Sequence, residues 1–307
     1  MKVFITGISG LLGLNLALQV RDRFQISGCY NRHPVVLDGA GIVRCDLTDV
    51  GALEELIQQI EPDVIIHTAG LTNVEECESN PEAAFRLNVE ATQHVAKIAS
   101  ALGCRLVHVS TDHVFEGTKA LKTETDIPSP LNVYARTKWE AEQVVCNTCA
   151  DALIIRTNFF GWGTRVRVSF SDWILRALAE RRELTMFRDV FFTPILINDL
   201  VEAMTELIVR DTVGIFHIAG GDRLSKYTFA KQLAKVFNYP QEGIRDISVE
   251  DFPFRAKRPK DMSLSSKKTE QHLGVRMPPV KDSLIRLREL EARGYRARVE
   301  DAVNTVV

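Results

Sequence analysis

Tyr134 and Lys138, four residues apart in "NVYARTK", stand between a loop-like run, "IPSPL", and a helix-like run, "WEAEQVV". Positions i and i+4 share one face of a helix, so a phenol and an ammonium placed there can act on a single target. "HVSTDHVF" (108–115) reads as a strand running into a polar turn, and it offers the hydroxyl of Thr111 and the carboxylate of Asp112. A carbonyl that receives a hydride gathers negative charge on oxygen and needs a nearby proton donor with a pKa not far above neutrality. Free tyrosine, at about 10, is too weak an acid for that task. A lysine cation at ~4 Å in an effective dielectric of ~20 contributes ~4 kcal/mol, or about three pKa units before desolvation opposes it. The expected chemistry is proton donation by Tyr134, with Lys138 lowering its pKa and Thr111 holding the substrate oxygen in line.

Alone, the Tyr/Lys pair is equally an ordinary surface pair with its polar tips in water, and its meaning rests on the glycines upstream. "FITGISGLLG" places Gly7, Gly10 and Gly13 between a first strand and a first helix. Small residues there allow a tight turn, bring backbone N–H groups near a pyrophosphate and aim a helix N-terminus, opening at Leu11 and Leu12, at its negative charge. The second strand ends in "CYNRHP", which offers Asn31 and Arg32 where an acid would bond the ribose 2′-hydroxyl of NAD. A carboxylate would repel a 2′-phosphate, whereas arginine grips it with a planar fork, so NADP is expected, with NAD as the alternative. Asp46 and Leu47, after the third strand, are expected at the adenine, unless Asp46 caps the next helix. Ala69, Gly70 and Thr72, in "HTAGLTNVEE" after the fourth strand, are expected beside the dinucleotide, because ligands gather at the carboxyl ends of parallel strands.

The elements that must position these groups alternate along the first half: strand-length "KVFIT", "QISGCY", "DVIIHTA", "RLVHVST" and "ALIIRT" with helix-length "LLGLNLALQVRDRF", "VGALEELIQQI" and "PEAAFRLNVEATQHVAKIASALG". That order predicts an α/β fold, a doubly wound parallel sheet of Rossmann type. Residues 1–157 are expected to form the NADP-binding domain, with segments near 190–220 returning to it. Residues 158–307 are expected to form a smaller, interleaved substrate-binding lobe. With 307 residues, 45% hydrophobic, 25% charged and a net charge of −2, the composition implies a small-molecule partner, no nucleic acid and no membrane. The short apolar N-terminus is no signal peptide and points to a cytoplasmic protein. Cys146 and Cys149 have C-x-x-C spacing but no second pair and no histidine pair nearby, so no metal is expected.

These motifs resemble an extended short-chain dehydrogenase/reductase over nearly the whole chain, and within that superfamily the dTDP-4-dehydrorhamnose reductase group. "STDHVFEG" is similar to its S-T-D-Y-V-F motif, "SPLNVYARTK" to its S-P-x-N-x-Y-G-x-T-K, and "RPKDMSLSSKK" to its late R-P-x-x-S-x-L run. The resemblance implies Tyr134 as proton donor, Lys138 as its activator and cofactor ligand, Thr111 as the third catalytic group, and a nucleotide-linked keto sugar as substrate. Three departures fall where substrate would bind: His113 replaces a tyrosine, Phe159 stands where the reductases show a tryptophan, and "RDVFFTPI" lacks a glutamine-phenylalanine-glycine sequence. Arg255, Lys257, Arg258 and Lys260 suit a diphosphate, with Arg258 the one expected in contact. An epimerase or dehydratase of the same superfamily is a competing reading. So is a non-catalytic NADP-binding subunit resembling the methionine adenosyltransferase β subunit. The helices "PEAAFRLNVEATQHVAKIASALG" and "KWEAEQVV" resemble a pair that often forms a four-helix dimer interface, which implies a homodimer.

Overall fold

The structure, a computed structural model, describes residues 1–304. Seven parallel strands form the central sheet: β1 (Lys2–Thr6), β2 (Gln25–Tyr30), β3 (Gly41–Arg44), β4 (Val64–His67), β5 (Arg105–Thr111), β6 (Leu153–Thr157) and the strand Gly214–Ile218. Their spatial order runs from Gly214–Ile218 through β6, β5, β4, β1 and β2 to β3. The chain thus starts in the middle, builds outward to β3, and crosses back to lay β4 on the other side of β1. This is the doubly wound arrangement that opens a crevice at the carboxyl ends of β1 and β4. Among the described residues, no helix is long and apolar enough to cross a membrane.

Strands buried on both faces must be apolar on both, and the pleat sorts them. Val3 and Ile5 enter the larger core with Ile66, Val107 and Ile155, while Phe4 enters the opposite one with Ile65, Leu106 and Ile154. Helix α1 (Leu11–Val20) covers the first face, and α2 (Val50–Ile60) lies on the second. Asp49 caps α2 by accepting the Ala52 N–H at 3.1 Å, so Asp46 is not its cap.

Helices α3 (Val74–Ser79) and α4 (Pro81–Phe85) follow β4, then a π-helical turn at Arg86–Glu90, then α5 (Ala91–Leu102), which ends at Gly103 with φ +66°. The run "PEAAFRLNVEATQHVAKIASALG", read from sequence as one helix, is therefore interrupted by a wide turn. Its cause is Asn88, whose buried side chain turns inward to bond the loop after β4.

Helix α6 (Val133–Thr148) lies on β5 and carries both residues of the opening motif. Beyond β6, the pair Phe159–Phe160 joins Ile195–Leu196 in parallel, and Leu184–Phe187 joins Ile244–Ile247. Helices α7 (Phe170–Ala179), α8 (Ile197–Val209) and α9 (Lys226–Val236) are built around them. The runs "TPILINDLVEAMTELIV" and "GIFHIAGG" do return to the sheet: α8 packs on α1, and Gly214–Ile218 extends the sheet beyond β6.

One buried ion pair fixes α6 to the sheet. Arg156 of β6 donates to Glu142 of α6 through Nε, at 2.9 and 3.1 Å, and through Nη2, at 2.6 Å, with both side chains almost fully enclosed. Removing one partner strands the other charge in a low dielectric, at a cost of about 3–5 kcal/mol, whereas replacing both by apolar groups can be neutral. We expect Glu142→Ala to lower unfolding stability in urea by that amount and Glu142→Leu/Arg156→Met to recover most of it. Additive losses in the double variant would show that the pair does not act as a unit.

Candidate active site

The first β-turn-helix unit is built for close approach. Gly7 has φ +67°, and a Cβ there would lie 2.9 Å from Ala69 Cα, so the loop and the chain after β4 touch backbone to backbone. A Cβ on Gly13 would run into the Gly7 carbonyl oxygen. Gly10 precedes α1 with no side-chain cap, which leaves the first N–H groups of the helix, at Leu11, Leu12 and Gly13, free for an anion. A tight turn with glycine at its points of closest approach, facing an uncapped helix, suits a dinucleotide pyrophosphate.

On either side of that cradle lie the other residues singled out from sequence. Asn31 and Arg32 are exposed at the end of β2. Arg44, at the end of β3, donates Nε to the Asn31 carbonyl at 3.1 Å and adds a second cation to that corner. Sequence reasoning missed it, although a basic residue closing an adjacent parallel strand was a readable signal. Asp46 is exposed and bonds Thr48 through N at 3.0 Å and Oγ1 at 2.8 Å, which holds its carboxyl below the ordinary range. Leu47 beside it is buried.

Asn88 was also missed. Its Oδ1 accepts the Leu71 N–H at 2.7 Å, and its Nδ2 donates to the Leu71 carbonyl at 3.0 Å and to Thr137 Oγ1 at 3.0 Å. One side chain therefore ties the Ala69, Gly70 and Thr72 loop to α6. An asparagine inside a predicted helix, where it is unfavourable, was the signal.

The N-terminus of α6 is fixed from three directions. Asn132 accepts the Ala135 N–H at 2.9 Å and donates to the Lys257 carbonyl at 2.9 Å, while Glu78 accepts the Val133 N–H at 3.1 Å. Tyr134 and Lys138 are consequently buried, as are Thr111 and Asp112. Lys138 donates Nζ to the Val109 carbonyl at 2.8 Å and to His108 Nε2 at 3.3 Å. His108 lies well below its usual pKa through burial, Lys138 and His67, so it is neutral and accepts. His67, its ring tilted against that of His108 at 5.4 Å, is pushed down to about 3 by burial and the Lys138 charge.

Proximity of Tyr134, Thr111 and Lys138 does not bring the expected acidity. Burial pushes the Tyr134 phenol above its ordinary value; the Thr111 hydroxyl opposes this, and the charges of Asp112 and Cys77 add to it. Lys138 is lowered to about 8 by burial, against the pull of Glu142. The expectation that the ammonium acidifies the phenol is corrected here: burial dominates, Lys138 is not among the groups that act on the phenol, and the lysine directs its protons to Val109 and His108.

At the substrate side, Thr111 donates to Asp112 Oδ1 at 3.1 Å, and Asn158 donates to Asp112 Oδ2 at 2.6 Å. Burial raises Asp112 to about 6 despite Lys226, Asn158 and Thr111. His113 meets the Tyr134 ring edge-on at 5.6 Å and is lowered to about 3 by burial and the charges of Arg258 and Lys226. Phe159 is half-buried against the main core, next to Asn158.

The basic cluster is mostly engaged elsewhere. Arg255 donates to Ser79 Oγ at 2.9 Å, and Lys260 pairs with Glu250. Arg258 gives Nη2 to Glu75 at 2.7 Å and lies over Phe254, but its buried Nε has no partner and remains available to a ligand. Cys146 is exposed and Cys149 buried, and no described group of histidine, cysteine and acidic residues could hold a metal.

This geometry has relatives. The RmlD substrate binding domain model matches residues 1–291. A dTDP-4-dehydrorhamnose reductase of Sinorhizobium fredii is 30% identical over 94% of this chain and 96% of its own length. Methionine adenosyltransferase 2 subunit beta of Rattus norvegicus is 33% identical over 92% of this chain and 87% of its own. A dTDP-4-dehydrorhamnose reductase from Bacillus anthracis, solved in complex with NADP, superposes with a TM-score of 0.85 at 26% identity, covering 94% of this chain and 99% of that one. With a family model spanning nearly all of its length and the Rossmann-type crevice in place, this chain belongs to the RmlD substrate-binding family of the extended short-chain dehydrogenases/reductases.

Proposed function

We propose that this protein is an NADPH-dependent reductase that converts the carbonyl of a nucleotide-linked 4-keto sugar to an alcohol, with Tyr134 as proton donor. The observation that carries the reading is the meeting of Thr111, Tyr134 and Lys138 at the carboxyl end of β5, beside the glycine turn. Similarity to the dTDP-4-dehydrorhamnose reductases, one of them solved with NADP, supports the same class.

In this reading Gly7, Gly10, Leu11, Leu12 and Gly13 hold the pyrophosphate, and Asn31 and Arg32, with Arg44, hold the 2′-phosphate. Asp46 and Leu47 border the adenine, and Ala69, Gly70 and Thr72 line the opposite wall. Thr111, Asp112, Phe159 and Arg258 face the sugar nucleotide. The dinucleotide supplies the hydride. Burial keeps Tyr134 protonated at neutral pH, so it enters the reaction with its proton in place. An alkoxide is about as basic as hydroxide, with a conjugate acid near roughly 16, so transfer from even a weakly acidic phenol is downhill once charge has developed. Lys138, still charged at neutral pH, then steadies the phenolate left behind. Asp112 orients Thr111, whose hydroxyl in turn acts on Tyr134.

Similarity to the methionine adenosyltransferase subunit favours a second reading, a dinucleotide-binding partner that turns nothing over. NADPH consumed in step with keto sugar selects the reductase, and it excludes an epimerase or dehydratase that returns its hydride.

Three outcomes follow from these assignments. Tyr134→Phe should leave NADPH affinity nearly unchanged and cut kcat by about two to four orders of magnitude in a spectrophotometric assay; full activity would remove Tyr134 from the reaction. Arg32→Ala should weaken NADPH by roughly tenfold or more, and NADH far less, in fluorescence titrations; equal losses would place Arg32 outside the phosphate corner.

Asp112 gives a pH signature. Its folded pKa is raised to about 6, so the folded state binds the extra proton between the ordinary carboxylate value and about 6. The ionised group therefore opposes stability above that window, and protonating it does not. Asp112→Asn should raise the thermal midpoint at pH 7.5 by about 2–4 °C, as expected for roughly 1 kcal/mol. It should also remove the fall in kcat/KM expected of the wild type as pH drops below about 6. A lower midpoint together with an unchanged acid limb would refute this role.

A further inference from the structure

The helix Tyr295–Asn304 lies beyond residues 1–291, the span shared with the family model. Gly294, at φ +76°, turns the chain into it from the preceding helix, Val280–Ala292. Tyr295, Val299 and Ala302 recur at i, i+4 and i+7, the spacing of one helix face, and all three are buried in the main core. Arg296 lies over the Trp162 ring at 4.6 Å and pairs with Glu291 at 2.9 Å. The helix is therefore seated on the body of the protein, where it packs on α1.

Its far end reaches the loop between β2 and β3, residues 31–40, which begins with Asn31 and Arg32. The last four carbonyls of a helix have no partner within it, and that of Ala302 takes the Val36 N–H at 2.9 Å. The Val36 side chain is exposed, while Val35 and Leu37 on either side of it are buried in the same core as Val299 and Ala302. The loop's other backbone groups bond locally, Ala40 to the Leu37 carbonyl and Arg44 to the Asn31 carbonyl. Among the described residues, the middle of the loop is thus hydrogen-bonded to the rest of the protein through Ala302 alone. The Arg32 side chain has no hydrogen-bond or ion-pair partner among them, so its reach is set by the backbone beneath it. The other end of the helix touches α1, where Tyr295 Oη donates to Asn15 Oδ1 at 2.9 Å. Asn15 also gives Nδ2 to the Leu11 carbonyl at 2.8 Å and the Trp162 carbonyl at 3.0 Å, so the start of α1 is held without Tyr295.

We propose that the helix Tyr295–Asn304 is a specificity-determining clamp for NADP: by holding Val36 it fixes the loop between β2 and β3 in the conformation from which Arg32 grips the 2′-phosphate. Val299 and Ala302 are positioning residues, which touch no ligand and act through Arg32. The inference rests on the reading of Asn31 and Arg32 as the phosphate corner, and it is independent of the sugar that is reduced. A loop that holds the gripping conformation only about a tenth of the time weakens a ligand that needs it by about tenfold. NADH, which lacks the phosphate, does not need it. Choice of dinucleotide is then shared between a side chain that reads the phosphate and a helix distant in sequence that keeps that side chain in range.

The test pairs dinucleotide titrations with amide hydrogen exchange on the full chain. Val299→Asp puts a charge into the buried seat and undocks the helix. It should raise the NADPH dissociation constant about tenfold and that of NADH by less than about twofold, and intact NADH binding shows that the crevice is folded. Added to Arg32→Ala, it should cost NADPH nothing more, because both changes act through one grip. Losses that add, or equal losses for the two dinucleotides, overturn the clamp. Should Val299→Asp fail to fold, Val299→Ala reads the same ratio at smaller amplitude, and the wild type alone gives a second reading. Its Val36 amide should be protected from exchange although it lies in a loop, and NADPH should slow it further where NADH does not, as reciprocal linkage requires. Unprotected exchange of that amide with NADPH bound would refute the clamp. With Val36 protected, equal losses of both dinucleotides in Arg32→Ala would refute the phosphate corner, and selection by the helix with it. A loss confined to NADPH in Arg32→Ala that Val299→Asp does not reproduce would refute the clamp alone.

Discussion

Helix α6 is amphipathic in an unusual sense: part of its polar side faces the protein. Tyr134, Lys138 and Glu142 recur every four residues, all buried, along the surface that meets β5 and β6. In a low dielectric each charge must be matched or the fold loses several kcal/mol. Glu142 meets the Arg156 fork, and Lys138 meets the Val109 carbonyl one turn earlier. A slip of one residue would strand both, so the register of the helix is set by charge, and Tyr134 is delivered to Thr111 as a consequence. Asn88 extends the same constraint across to the loop after β4, joining the walls of the crevice through Thr137.

Much of this was readable in sequence, and the limits are physical. Strand and helix order is legible because apolar periodicity is local, and the sheet has the doubly wound order that alternation predicts. The glycine turn was legible because backbone approach admits few residue types, and the structure gives Gly7 the positive φ and close neighbour that require glycine. Asn88, Asn158, Arg44 and Lys226 were not found, since each acquires meaning only from partners far away in sequence. Asn158 counts because Asp112 lies 2.6 Å away across the strand ends. The π-helical turn at Arg86–Glu90 was invisible for the same reason, being held open by bonds from Asn88 to Leu71 and Thr137.

Spacing alone also misjudged the balance between two electrostatic effects. A cation near a phenol would lower its pKa, but burial raises the phenol here and Lys138 is not among the groups that act on it. The same enclosure lowers Lys138 to about 8, close enough to neutrality for its charge to respond to neighbours. His67 and His108, stripped of charge by burial, form a neutral polar layer beneath it, with Thr6 and Thr92 bonding the two nitrogens of His67 at 2.7 and 3.0 Å. The lysine thus rests on acceptors that do not neutralise it.

The chemical end and the recognition end of the chamber are built on different principles. At the first, Lys138 and Glu142 are matched within the sheet and α6, by the Val109 carbonyl and the Arg156 fork. At the second, Arg258 Nε and His113 Nδ1 are buried without partners and Lys226 Nζ makes no bond, so donor capacity there is unspent. Unspent capacity is costly in the free protein and is recovered only by a ligand that presents matching groups. These groups sit on the turn after β5, on the start of α9 and in the segment just before Lys260. The last two lie beyond β6, where the sequence departs most from the regular alternation. A shared reaction core and a divergent receiving wall follow from that division. The core is fixed by charges that must be matched inside the fold, and the wall by charges that only a substrate can match.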